Sequence, residues 1–159
     1  MKNYHVTSQD GSKSRLLLNL FIIKGHYGCG GVTASLSTGQ HGIVDNWLRT
    51  IKDIYRNNKQ DVDSCATKKD CINRLVELNV IRQVNNIAST AIVQEAWANG
   101  RKLEVHGWVY DLETGRLKDL ECNIRDPADI CDDIYVVDCE CKHNHADKEK
   151  TDSIPNRSR

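Results

Sequence analysis

The first apolar stretch predicts a buried strand that leads into a tight turn. Residues 16–23 form a short apolar run that ends at Lys24-Gly25, which is typical of a strand buried on both faces in a parallel sheet. Glycines recur through residues 25–31, and residues 32–36 can form a short helix before the polar loop 37–42. The pattern therefore predicts strand, tight loop and helix in succession.

Helical spacing dominates the middle of the chain. Asp45 is the predicted cap of a helix over residues 46–55, whose core-facing positions are Trp47, Leu48, Ile51, Ile54 and Tyr55. Residues 57–69 are polar and read as a loop. From Asp70 onward, apolar residues recur along one helical face, Ser89-Thr90 can divide this segment into two helices, and Asn99-Gly100 is a stop signal.

The last third of the chain predicts a hairpin followed by a polar tail. Residues 103–110 are rich in strand formers, and a turn with Gly115 in a left-handed conformation connects them to residues 116–120. Residues 134–137 are a weak strand candidate, and the charged segment 143–159 predicts disorder. We therefore expect an α/β fold, with a small, mainly parallel sheet, flanking helices and an antiparallel edge hairpin.

Composition and charge narrow the possible partners and compartment. The chain has 159 residues, which suits one domain, and its 22 basic residues equal its 22 acidic ones. This balance gives no reason to expect nucleic acid or a membrane surface as a partner. The run at 16–23 is too short to cross a bilayer, and seven cysteines without a secretory signal favour reduced thiols or metal ligands. These features predict a cytoplasmic protein.

His26-x-x-Cys29 is the most informative local motif, because imidazole and thiolate are both good zinc ligands. The glycine-rich turn between them can aim both side chains at one ion. Two ligands do not complete a site, however, since a catalytic zinc takes three from protein and leaves one position for water or substrate.

The segment Gly25-His26-Tyr27-Gly28-Cys29-Gly30-Gly31-Val32 closely resembles the zinc loop of β-class carbonic anhydrases, most of all the bacterial ones. The resemblance continues, in family order and at family-like spacing, through residues 46–49, 51–53, 74–81, 83–84, 92–94, 96–97, 105–111 and 117–120. It implies a β-carbonic-anhydrase-like fold that is incomplete in this chain. It also implies that His26 and Cys29 are zinc ligands.

What the family does supplies a functional expectation. Its bacterial members are cytoplasmic enzymes that interconvert carbon dioxide and bicarbonate, and they form dimers or larger assemblies. In them two cysteines and one histidine hold Zn²⁺, which lowers the pKa of bound water so that hydroxide attacks carbon dioxide. By resemblance, we expect Zn²⁺ as cofactor, carbon dioxide and bicarbonate as substrates, and association into a homo-oligomer or with a related subunit.

The family's second motif, Cys-x-Asp-x-Arg, is not found in this sequence. No cysteine precedes His26, and Asp10 and Arg15 are five positions apart rather than two. A truncated gene, a gene-model fragment and a divergent paralogue would each produce this pattern. The strand at 16–23 would then lack a neighbour, and such exposed edges favour pairing with another chain.

Other metal-ligating residues lack family support. Replacement of the absent ligand by a later cysteine is open for Cys65, Cys71, Cys122, Cys131, Cys139 and Cys141. Cys139, Cys141, His143 and His145 alternate and would share one face of a strand, although an exposed polar tail explains them as well. We interpret His106 as a structural sheet residue, and His5 and His41 as exposed loop residues.

The sequence therefore divides into a polar segment 1–15, a partial β-carbonic-anhydrase-like domain 16–125 and a divergent, flexible tail 126–159. Three functional hypotheses follow. The chain is a carbonate dehydratase that draws missing groups from a partner, an inactive relative that binds another subunit, or a metal-binding protein without lyase chemistry.

Overall fold

A computed structural model describes residues 20–130 of the chain. Several sequence predictions concern residues outside this range and stay predictions. They are those for His5, Cys131, the strand candidate at 134–137, the Cys139–His145 cluster and the charged tail. The domain boundaries at residues 15 and 125 also stay predictions. Within residues 20–130, no helix is both long enough and apolar enough to span a membrane.

In the described part of the chain, one strand is followed by five helices and then by two strands. In order, the elements are β1 (Leu20–His26), α1 (Gly30–Ser35), α2 (Val44–Asn57), α3 (Lys59–Asp63), α4 (Lys68–Ala88), α5 (Ala91–Ala98), β2 (Glu104–Asp111), β3 (Arg116–Asp119) and a 3-10 turn, Pro127–Asp129. The division of the long helix at Ser89-Thr90 confirms the sequence prediction, as do the positive φ angles of Gly100 (72°) and Gly115 (67°).

The three strands form one sheet in the order β1-β2-β3. β1 runs parallel to β2, with Leu20 beside Glu104 and His26 beside Tyr110. β3 pairs antiparallel to β2, with Trp108 opposite Asp119. The predicted α/β class, with a small sheet, a parallel pair and an antiparallel edge hairpin, is thus confirmed.

The sheet packs closely against α4 because glycines leave room for its valines. A Cβ on Gly25 would lie 2.6 Å from a Val80 methyl, and one on Gly107 would lie 3.0 Å from a Val84 methyl. Two apolar clusters form the core, one under α1, α2 and α4 and the other under α5 and the start of β2. Their buried members are Val32, Leu48, Ile51, Ile54, Leu75, Val76, Val80 and Val109, and Val84, Ala88, Val93, Leu103, Val105, Ile124 and Ile130.

The first strand differs from the prediction in its end point and in its burial. It continues through Lys24 and Gly25 to His26, and Phe21 and Ile22 are 48% and 42% exposed rather than buried. β1 lies at the edge of the described sheet, so it has a neighbouring strand on one side only.

Three predictions for the helices were wrong. Ile43, not Asp45, is the N-cap of α2, because the Asp45 carboxylate instead accepts a hydrogen bond from the His41 amide at 2.8 Å. Trp47 is 56% exposed, and its ring lies beside Gly31 of α1 rather than in the buried core. The predicted loop 57–69 contains α3, which is held to the end of α2 by a hydrogen bond of 2.7 Å from Tyr55 Oη to Asp63.

Candidate metal centre

His26 and Cys29 flank the turn that connects β1 to α1. His26 is the last residue of β1, and Cys29 is the N-cap residue of α1. Gly28, with φ of 70°, allows the chain to reverse between them. The Cys29 carbonyl accepts hydrogen bonds from the amide and the hydroxyl of Thr33, both at 3.0 Å, which fixes the start of the helix.

Both side chains leave a donor atom available for a ligand. The exposed His26 ring has Nδ1 3.0 Å from the Tyr27 carbonyl, a contact that favours the proton on Nδ1 and leaves the Nε2 lone pair unused. Cys29 is partly buried and packs against the first core cluster. Among residues 20–130, no hydrogen-bond partner is found for His26 Nε2 or Cys29 Sγ.

The two donors suit zinc in kind but not in number. A catalytic zinc needs three protein ligands, and no group of three His, Cys, Asp or Glu residues within residues 20–130 could hold a metal ion. The later cysteines Cys65, Cys71 and Cys122 are therefore not brought together with His26 and Cys29. The described residues alone do not complete a zinc site.

A buried carboxylate supports the turn from beneath, and sequence reasoning gave it no role. Glu77 of α4 is 8% exposed, and its Oε1 accepts from Tyr27 Oη at 2.5 Å and from Lys118 Nζ at 2.6 Å. Its Oε2 accepts from Arg74 at 3.0 Å, and Arg74 also pairs with Asp61 at 2.7 Å. Tyr27, one of the two residues between the candidate ligands, is thus anchored to α4 directly and to β3 through Glu77.

This hydrogen-bond network shifts the pKa values of Glu77 and Tyr27. Burial opposes ionisation of Glu77, but the hydrogen bonds from Lys118, Tyr27 and Arg74 hold its pKa below the usual value. Burial, followed by the hydrogen bond to Glu77, raises the pKa of Tyr27. Tyr27 therefore stays a phenol that donates, and Glu77 stays a carboxylate that accepts. Glu77 is 50 positions from Tyr27 and 41 from Lys118, so no local motif could reveal the network.

Comparison with known proteins decides the family. A family model described as carbonic anhydrase matches residues 14–117. The β-carbonic anhydrase of Coccomyxa, solved in complex with acetazolamide, superimposes with a TM-score of 0.64 at 34% sequence identity, over 69% of this chain and 50% of that one.

This chain belongs to the β-carbonic anhydrase family. A tetrameric β-carbonic anhydrase from Sordaria macrospora superimposes with a TM-score of 0.62 at 32% identity, over 67% of this chain and 54% of that one. The Emericella nidulans carbonic anhydrase is 42% identical over 70% of this chain and 48% of its own length. The Pseudomonas aeruginosa carbonic anhydrase is 33% identical over 63% and 46%. The resemblance thus includes fungal as well as bacterial carbonic anhydrases, and the chain spans about half the length of these relatives.

Within residues 20–130 of this β-carbonic anhydrase chain, the two other histidines lie where the sequence predicted. His106 is in β2 and is 5% exposed, with Nε2 3.0 Å from a Glu104 oxygen and the ring edge-on to Trp108. His41 is an exposed loop residue whose Nε2 is 3.1 Å from Ser37 Oγ.

Proposed function

We propose that this chain provides part of a carbonic anhydrase zinc site, and that the assembled protein interconverts carbon dioxide and bicarbonate in the cytoplasm. The observation that carries the proposal is the placement of His26 and Cys29 on either side of one turn, each with an unused donor atom. Membership of a family of zinc enzymes supports it.

In this proposal His26 Nε2 and Cys29 Sγ would hold the metal. Catalytic zinc requires three protein ligands, so at least one more has to come from outside residues 20–130 or from another polypeptide. The hydrogen bonds of Tyr27 and Thr33 would fix the turn in advance, so that little reorganisation accompanies metal binding.

We propose further that the chain associates, either with copies of itself or with a related subunit. Two features support association: β1 lies at the edge of the described sheet, and its apolar side chains Phe21 and Ile22 are about half exposed. The related Sordaria macrospora enzymes are tetrameric. The equal numbers of basic and acidic residues give no support to a nucleic-acid or membrane partner.

Zinc content and carbon dioxide hydration, measured on the same purified sample, test the proposal. We expect bound zinc, and hydration that depends on both zinc and assembly. Zinc without hydration, under conditions where an intact relative is active, would instead indicate a metal-binding protein without lyase chemistry. Absence of both, together with binding to a full-length relative, would indicate an inactive subunit.

A further inference from the structure

Cys65 and Cys71 lie together where α3 meets α4. The Cys71 thiol is 3.9 Å from the Cys65 carbonyl oxygen, and the Cys65 thiol is 3.8 Å from the Asp61 carbonyl oxygen. Partial burial, and then the neighbouring Cys71 thiol, raise the pKa of Cys65. Both side chains are only partly buried, so a small reagent can reach them.

The connection between the helices enforces this proximity. Thr67 caps α4 by accepting from the Asp70 amide at 3.1 Å, and the Thr67 carbonyl accepts from the Cys71 amide at 3.0 Å. The cap folds the chain back, so that Cys65 lies beside the first turns of α4. Arg74 pairs with Asp61 at 2.7 Å and holds α3 against α4 on the same side.

We propose that Cys65 and Cys71 form a thiol–disulfide site that is oxidised by small-molecule disulfides such as oxidised glutathione. One cysteine thiolate attacks a sulfur of oxidised glutathione, forms a mixed disulfide and releases the first glutathione thiolate. The other cysteine thiolate then attacks the mixed disulfide, forms the Cys65–Cys71 bond and releases the second. Two electrons pass to glutathione, and the two cysteine protons end on the two glutathione thiols.

Oxidation would stiffen the rim of a cavity beside the zinc loop. Lys68 and Lys69 lie between the two cysteines and line a cavity of about 550 Å³ together with Tyr27 and Gly28. Lys69 also pairs with Glu113 in the β2–β3 turn at 2.6 Å. A disulfide would close a short ring around this segment and reduce its freedom. The site does not depend on zinc or on carbonic anhydrase activity.

Tryptic mapping tests the proposal on the full chain. The protein is equilibrated in glutathione buffers of increasing oxidised fraction, quenched with acid, alkylated and digested with trypsin. Cleavage after Lys59, Lys68, Lys69 and Arg74 separates residues 60–68 from residues 70–74 unless a disulfide joins them. We expect the joined peptide pair, lighter by two hydrogens than its separate parts, at ratios that leave Cys29 and Cys122 free for alkylation.

Matched variants and a folding control make the result decisive. Cys71→Ser should abolish the joined pair, whereas Cys122→Ser should leave its midpoint ratio unchanged. The proposal is overturned if the folded protein, verified by circular dichroism, gives separately alkylated or glutathionylated peptides at every ratio. It is also overturned if Cys65 pairs with a different cysteine, or if the joined pair appears only after unfolding in urea.

Discussion

The Tyr27 hydroxyl donates a hydrogen bond of 2.5 Å to Glu77, so the residue that follows His26 is attached directly to the middle of α4. The same carboxylate accepts from Lys118 on β3 at 2.6 Å. One buried acid therefore connects the turn between His26 and Cys29, the longest described helix and the edge hairpin. Changes at Glu77 should affect both stability and the geometry between His26 and Cys29.

Replacing Glu77 with glutamine should destabilise the fold. The variant keeps the side-chain size but loses the charge that accepts from Lys118 and Arg74, and we expect a loss of about 1–3 kcal/mol in the free energy of unfolding. Lys118 is 55% exposed, so solvent screens its interaction with Glu77. The loss in the free energy of unfolding should therefore be smaller than for a fully buried ion pair. Urea titration measures the loss.

A matched control is Glu113→Gln, which removes the exposed ion pair with Lys69. The two side chains of this pair are 63% and 71% exposed, so solvent screens their interaction and the loss should be much smaller than for Glu77→Gln. Equal losses for the two variants would show that Glu77 contributes no more than a surface charge.

The Glu77 contribution should also depend on pH. Its folded pKa is depressed, so the ionised carboxylate stabilises the folded state above the unfolded pKa, near 4.5, and this stabilisation is lost as the pH falls through the folded pKa. The stability difference between the wild type and Glu77→Gln should thus be constant near neutral pH and shrink in acid. Urea titrations at several pH values test this, and a difference that grows in acid would contradict it.

Zinc retention should depend on Cys29. Since residues 20–130 supply only two candidate ligands, loss of one thiolate should remove most of the bound zinc in Cys29→Ser, as measured by mass spectrometry of the metal after dialysis. Cys122→Ser is the control, because Cys122 lies elsewhere and should not alter zinc content. Unchanged zinc in Cys29→Ser would exclude the loop from the metal site.

The predictions that succeeded rest on local signals. The sequence predicted a left-handed conformation at Gly115 and a helix end at Asn99-Gly100. Both were found, since Gly115 has a φ of 67° and α5 ends at Ala98. The strand–loop–helix order around His26 and Cys29 follows from a short apolar run that meets a cluster of glycines. Their candidacy as ligands came from residue type and family resemblance together.

The predictions that failed depend on contacts between distant residues. The exposure of Phe21 depends on which strands flank β1, and an apolar run cannot reveal that. α3 was missed because residues 57–69 are polar, and its anchors, Tyr55 to Asp63 and Arg74 to Asp61, involve residues outside that short helix. The Glu77 network was missed for the same reason, since it joins three separate elements.

Self-association should depend on the edge strand. Ile22→Lys places a charge on the partly exposed β1, which should weaken pairing with another chain, and sedimentation velocity should then show a shift towards the monomer. Leu112→Lys is the control, because Leu112 is 62% exposed but lies in the β2–β3 turn. An assembly that persists in Ile22→Lys and dissociates in Leu112→Lys would place the interface at the hairpin instead.

Close packing between the sheet and α4 should make Gly107 intolerant of any side chain. A Cβ there would lie 2.5 Å from Cys122 Sγ, 3.0 Å from a Val84 methyl and 3.2 Å from a Val80 methyl, so Gly107→Ala has to displace α4 or the segment after β3. Overpacking of this kind costs about 1–3 kcal/mol, which urea titration can resolve.

Gly30→Ala is the matched control for this substitution, because a Cβ at Gly30 has no atom within 4 Å and the residue begins a helix. It should leave stability unchanged or slightly increased. Adding Cys122→Ala to Gly107→Ala removes the nearest atom but not the two valine methyls, so we expect only partial recovery. Full stability in Gly107→Ala alone would mean that α4 lies further from the sheet than these distances indicate.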